Sequence, residues 1–87
     1  MPRYVSLHTL YHLNRQAAQD LAERLRTAPD ITVRRALLSL VEGKLLLDWD
    51  AADRETIERW LTAQGFEPPE WMVSMEYEII EGKLLTL

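Results

Sequence analysis

The 87 residues contain no cysteine. That absence removes disulfides, thiolate nucleophiles, zinc ribbons and iron–sulfur clusters together. Lysine is scarce, two against eight arginines, and the 10 basic residues face 14 acidic ones for a net charge of −4. A protein that binds nucleic acid through its phosphates needs a basic face, so no nucleic-acid partner is expected. No apolar run nears the ~18 residues of a membrane span, and no basic-then-apolar leader opens the chain. No membrane partner is expected, and the cytoplasm is the expected compartment. Glycine (3) and proline (4) are few, with 47% hydrophobic and 28% charged residues, which excludes disordered and fibrous classes. At roughly 150 residues per domain the length allows a single domain, residues 1–87, with one thin core. Phosphate loops, Gly-rich nucleotide loops and the Gly-x-Ser-x-Gly elbow are also missing.

What is present is strong patterning. Residues 4–13 alternate, with Val5, Leu7, Tyr11 and Leu13 on one side and Tyr4, Ser6, His8 and His12 on the other. This period predicts a strand with Val5 and Leu7 turned to the core. Asn14 is placed to cap a helix over 15–28, whose apolar stripe is Ala18, Leu21, Ala22 and Leu25. Residues 31–41 and 44–50 read as a hairpin turning at Glu42-Gly43. Asp50 is positioned to cap a second helix, with Asp53 in its first turn and Ile57, Trp60 and Leu61 on its apolar side. Gly65 ends that helix, Phe66 folds back on it, and Glu67-Pro68-Pro69-Glu70 is a stiff connector. Residues 71–80 alternate again, Glu81-Gly82 turns, and 83–87 form a last short strand. Val41-Glu42-Gly43-Lys44-Leu45-Leu46 returns as Ile80-Glu81-Gly82-Lys83-Leu84-Leu85, either a trace of two related halves or a common turn used twice.

The order predicts an α+β fold, a ferredoxin-like βαββαβ antiparallel sheet with two helices on one face and a short extra C-terminal strand. The second face of the sheet is left for water, a ligand or a partner. If Val5, Leu7, Leu45, Leu47, Trp49, Val73, Met75 and Tyr77 face the helices, parity puts Ser6, His8, Leu10, His12, Leu46, Asp48, Asp50, Ser74, Glu76 and Glu78 on the open face. His8 between Asp48 and Glu76 is then the candidate site. Imidazole beside carboxylates suits nickel or another divalent metal. It equally suits acid–base catalysis near neutral pH, or is simply a polar sheet face. His12, about 13 Å along the strand from His8, cannot share one ion with it. Arg34 and Arg35 are expected on opposite faces, which would make no anion clamp. Trp49 and Trp60 are expected in the core.

Tyr4-Val5-Ser6-Leu7-His8, the stretch Glu42-Gly43-Lys44 through Asp48-Trp49-Asp50-Ala51-Ala52-Asp53-Arg54-Glu55, and Trp60 to Gly65 resemble the small nickel-binding, ferredoxin-like proteins of uncharacterised role. The likeness covers about two-thirds of the chain in short pieces. It implies a dimer of ferredoxin-like subunits, with His8 at the family's first-strand histidine. Two departures stand against the metal. Trp60 and Phe66 occupy the region where the family carries further histidines, and Ser6 replaces an acidic residue.

Two classes of function follow. One is a homodimeric, non-catalytic protein holding a metal or small ligand on the open face. The other is an enzyme in which two sheets close over a pocket and His8 acts as acid–base. A homodimer is expected in both, with Tyr4, Leu10, Leu46 and Met72 as the apolar groups of its interface.

Overall fold

The computed structural model describes all 87 residues. Strand β1 (Arg3–Thr9) is followed by helix α1 (Arg15–Arg26), the hairpin β2 (Ile31–Ser39) and β3 (Lys44–Ala51), and helix α2 (Arg54–Ala63). Three short strands follow, β4 (Trp71–Met75), β5 (Tyr77–Ile80) and β6 (Lys83–Thr86). The main sheet has the order β2-β3-β1-β4, with every neighbouring pair antiparallel. This is a small α+β domain, with two helices on a four-stranded sheet.

Local chemistry sets the element ends. Asn14 accepts a hydrogen bond from the Ala17 N–H at 2.8 Å and starts α1 as expected. The cap of α2 is Asp53 rather than Asp50: its carboxylate accepts from the Thr56 N–H at 2.8 Å. Asp50 instead stays in β3. Gly43, at φ +66°, passes so close to the first strand's exit that a Cβ would lie 2.8 Å from the Leu10 carbonyl oxygen. The Leu10 N–H donates to the Gly43 carbonyl there, also at 2.8 Å. β1 ends at Thr9, opposite Lys44 where β3 begins, four residues short of the expected strand.

The expected 71–80 strand is broken. Met75 pairs with Arg3, the first residue of β1, so the chain beyond it has no strand left to pair with. It pairs with itself instead. Glu81 and Gly82, both at positive φ, make the tight turn of a separate β5–β6 hairpin. The last strand therefore extends no edge of the main sheet.

The core lies between the sheet and the helices. Leu21 and Leu25 of α1 and Ile57, Trp60 and Leu61 of α2 pack with Ile31, Leu45, Leu47, Trp49 and Ala51. Trp49 and Trp60 meet edge to face at 5.8 Å between ring centres. Leu47, Trp49 and Ile57 are wholly buried. No helix is long and apolar enough to cross a membrane.

Candidate functional site

The register decides which residues share a face. Residues directly opposite in an antiparallel pair point to the same side. Tyr4 pairs with Trp49, Ser6 with Leu47 and His8 with Leu45. Since those β3 residues are the core, Tyr4, Ser6 and His8 point at the helices, opposite to the expected parity. Val5 and Leu7 point away. In β4 the same inversion holds: Met72 pairs with Ser6 on the helix side, while Trp71 and Val73 pair with Leu7 and Val5 on the open side.

His8, Asp48 and Glu76 are thus not brought together. His8 is 2% exposed and lies under the helices, where its ring meets Phe66 edge-on at 6.0 Å. Asp48 is on the open face, and Glu76 sits in the link between β4 and β5. No three His, Asp or Glu side chains converge on any point. The donor set does not fit a metal ion. His12 is exposed but lies in the loop after β1, not on the expected strand.

His8 belongs to a sealed polar chain. The Trp49 indole N–H donates to Ser6 Oγ at 2.8 Å, and Ser6 Oγ lies 2.7 Å from His8 Nε2. With one lone pair taken by the indole, the Ser6 hydroxyl proton is free to go to Nε2. The neutral ring then carries its proton on Nδ1, which has no partner. Burial lowers the His8 pKa from its ordinary 6.5, which keeps the ring neutral. A serine bonded to an imidazole is the beginning of a nucleophile–base pair. Here neither group is open to a substrate, Ser6 being wholly buried. The pair serves the Trp49 indole and is closed off from solvent. A pocket formed by closing two open faces would likewise not contain His8, so the acid–base role loses its geometry.

The open face is built in rows across the strands. One row is apolar from edge to edge: Leu37, Leu46, Leu7 and Trp71. The next is Arg35, Asp48, Val5 and Val73, and the third Thr32, Asp50, Arg3 and Met75. Leu37, Trp71, Val73 and Met75 are 38–49% exposed. Of the four expected interface residues only Leu46 is here. Tyr4, Leu10 and Met72 pack against the core on the other side, Tyr4 beneath the Arg54 guanidinium.

At one corner of this face charges gather. Arg3 grips Asp48 with two hydrogen bonds, 2.6 and 3.0 Å, and its Nε lies 3.9 Å from Asp50. Arg34 also bonds to Asp50. The Asp48 hydrogen bond raises the Arg3 pKa above its already high ordinary value, against the effect of burial. A bulge in β2 between Val33 and Arg35 adds one residue to the strand. It lets Arg34 reach Asp50 while Arg35 stands opposite Asp48, so the two arginines serve the same face, contrary to strict alternation. Arg35 has no ion-pair partner among the salt bridges. It walls a pocket of about 170 Å³ with Val5, Leu37, Leu46 and Asp48. At the other end Lys44 joins Thr9, at 2.9 Å, and Glu70.

These arginines were the missed residues. Asp48 and Asp50, two apart on a strand, share a face and need cations on the neighbouring strands. Arg3 and Arg34 are placed to supply them. Compared with protein-family models, curated proteins and solved structures, the chain matches none. The resemblance to nickel-binding proteins rests on the quoted residues alone.

Proposed function

We propose that the chain is a ferredoxin-like module that self-associates, two copies closing their open sheet faces on each other. The observation that supports this is the uncovered row Leu37, Leu46, Leu7 and Trp71, continued by Val5, Val73 and Met75. Contiguous apolar patches of this kind mark interaction surfaces. The ion pairs at both ends make a polar rim around an apolar centre, the usual anatomy of an interface. A chain of 87 residues also buries little on its own, only 13 residues being fully inside. Sedimentation equilibrium at micromolar concentration tests it. The wild type is expected near 20 kDa, twice the chain mass of 10.2 kDa. Leu46→Glu is expected at the single-chain mass with its far-UV spectrum unchanged. A wild type at 10.2 kDa rejects the proposal.

Arg35 supports a second reading, in which a ligand rather than a second copy occupies part of the open face. Asp48, which also lines this pocket, is already held by Arg3, so the Arg35 guanidinium over a floor of Val5, Leu37 and Leu46 suits a small, mostly apolar ligand with one anionic group. Octanoate is a direct probe. Calorimetry is expected to show binding to the wild type and its loss in Arg35→Met; absence of wild-type binding rejects a ligand of this class.

A further inference from the structure

Both sides of the β5–β6 hairpin are exposed, and one of them is mostly apolar. Tyr77 pairs with Thr86 and Ile79 with Leu84, so these four share one side; Glu78, Ile80, Lys83 and Leu85 share the other. Tyr77, Ile79 and Leu84 are 57%, 72% and 65% exposed. A lone two-stranded hairpin is marginal in water and needs a surface to lie on. Its root shows which surface is near. The Leu87 N–H donates to the Glu76 carbonyl at 3.0 Å. Tyr77, Glu78 and Leu87 then line a cleft with Arg3, Val5, Asp48 and Met75, all open-face residues. The hairpin therefore leaves the sheet on the side where the proposed partner sits.

We infer that the hairpin is an exchanged arm: in the dimer, each copy lays Tyr77, Ile79 and Leu84 on the open face of the other. This rests on the self-association proposed above and specifies how it is achieved. Area argues for it. Four strands ~4.8 Å apart and about 20 Å long give the sheet face a footprint of roughly 300 Å². Even doubled for side-chain relief, that falls short of the ~800 Å² each partner contributes to a stable interface. Sheet against sheet alone makes a small interface, and the arm enlarges it. Its four-residue strands, ~13 Å long, match the ~14 Å between the outer strands of the sheet. The apolar row from Leu37 to Trp71 runs across that same width. Exchange of like elements around a two-fold axis also leaves no unsatisfied copy of either surface.

The cysteine-free chain allows a direct test on the full-length protein. One population carries Ile79→Cys; the other carries Leu37→Cys, Leu46→Cys or Val73→Cys in turn. Mixed and mildly oxidised, at least one combination is expected to give a disulfide between the two populations. In parallel, the double variant Ile79→Glu with Leu84→Glu is expected to weaken dimerisation at least tenfold in sedimentation. Its helices and main sheet should be retained by circular dichroism. A wild type of dimer mass that gives no mixed disulfide, and whose double variant dimerises as before, overturns the exchanged arm while leaving face-to-face pairing intact. A wild type of single-chain mass overturns both.

Discussion

On the helix side of the sheet, polar groups are sealed in and bonded to one another, His8 Nδ1 excepted; on the open side, apolar groups stand in water between ion pairs. Ser6 and His8 lie inside, with the Trp49 indole as their reason for being there. Val5, Leu7 and Leu46, which look like better core residues, lie on the outer face. Hydropathy alone would reverse the two sides at β1 and β4. The difference shows that a large aromatic carrying a polar atom can recruit polar neighbours into a core. It also shows that a face left apolar in a single chain is a face shaped for something else.

Consecutive residues Leu46 and Leu47 offer the sharpest test of this contrast, because they point to opposite sides. Leu47→Ala, at a wholly buried position, should lose about 2–5 kcal/mol by urea unfolding. Leu46→Ala, half-buried, should cost the isolated chain less than about 1 kcal/mol and act mainly on association. Equal losses under dilute conditions would erase the distinction between the faces. A smaller effect comes from the sealed polar chain. Ser6→Ala strands both the indole N–H and the His8 Nε2, and should cost about 1–3 kcal/mol. Measured stability equal to wild type would mean that Trp49 finds another acceptor.

The pH response sharpens the same point. His8 binds its proton less readily folded than unfolded, since burial lowers its pKa below the ordinary 6.5. The unfolded state therefore takes up the proton first as pH falls. Stability should be flat above about pH 7 and decline below 6.5, by at most about 1.4 kcal/mol per pH unit for one proton. In His8→Phe that decline should vanish between pH 7 and 5. Its persistence would assign the response to groups outside the core. The smallest effect belongs to the open side. Lys44 and Glu70 are each 40% exposed, so Glu70→Gln should shift the unfolding midpoint only slightly, less than any substitution above.

How much of this was legible in the chain depends on how many signals agreed at each place. In β3, Leu45, Leu47 and Trp49 alternate with Lys44, Asp48 and Asp50, and both hydropathy and charge give one answer, which the register bears out. The Asn14 cap, the Gly43 turn and the return of Phe66 against Trp60, stacked at 6.1 Å, were equally readable. In β1 both sides of the strand could be buried, and the deciding fact was a hydrogen bond across strands 43 residues apart in sequence. That error moved His8 away from Asp48 and removed the expected site. The break at Glu76 was hidden for a different reason. Alternation runs smoothly through residues 71–80, but a strand ends where its partner ends, and the start of β1 at Arg3 set that limit. The bulge at Arg34 left no local mark either.

The three tryptophans divide between these two worlds. Trp49 and Trp60 sit ring to ring within the core, close enough for their electronic transitions to couple. Trp71, 42% exposed, stands alone at the end of the open row. The molecule thus carries two optical channels without any label. The coupled pair reports in circular dichroism whether the core is assembled. The emission colour of Trp71 reports whether the open face is wet, so a single titration can separate dissociation from unfolding.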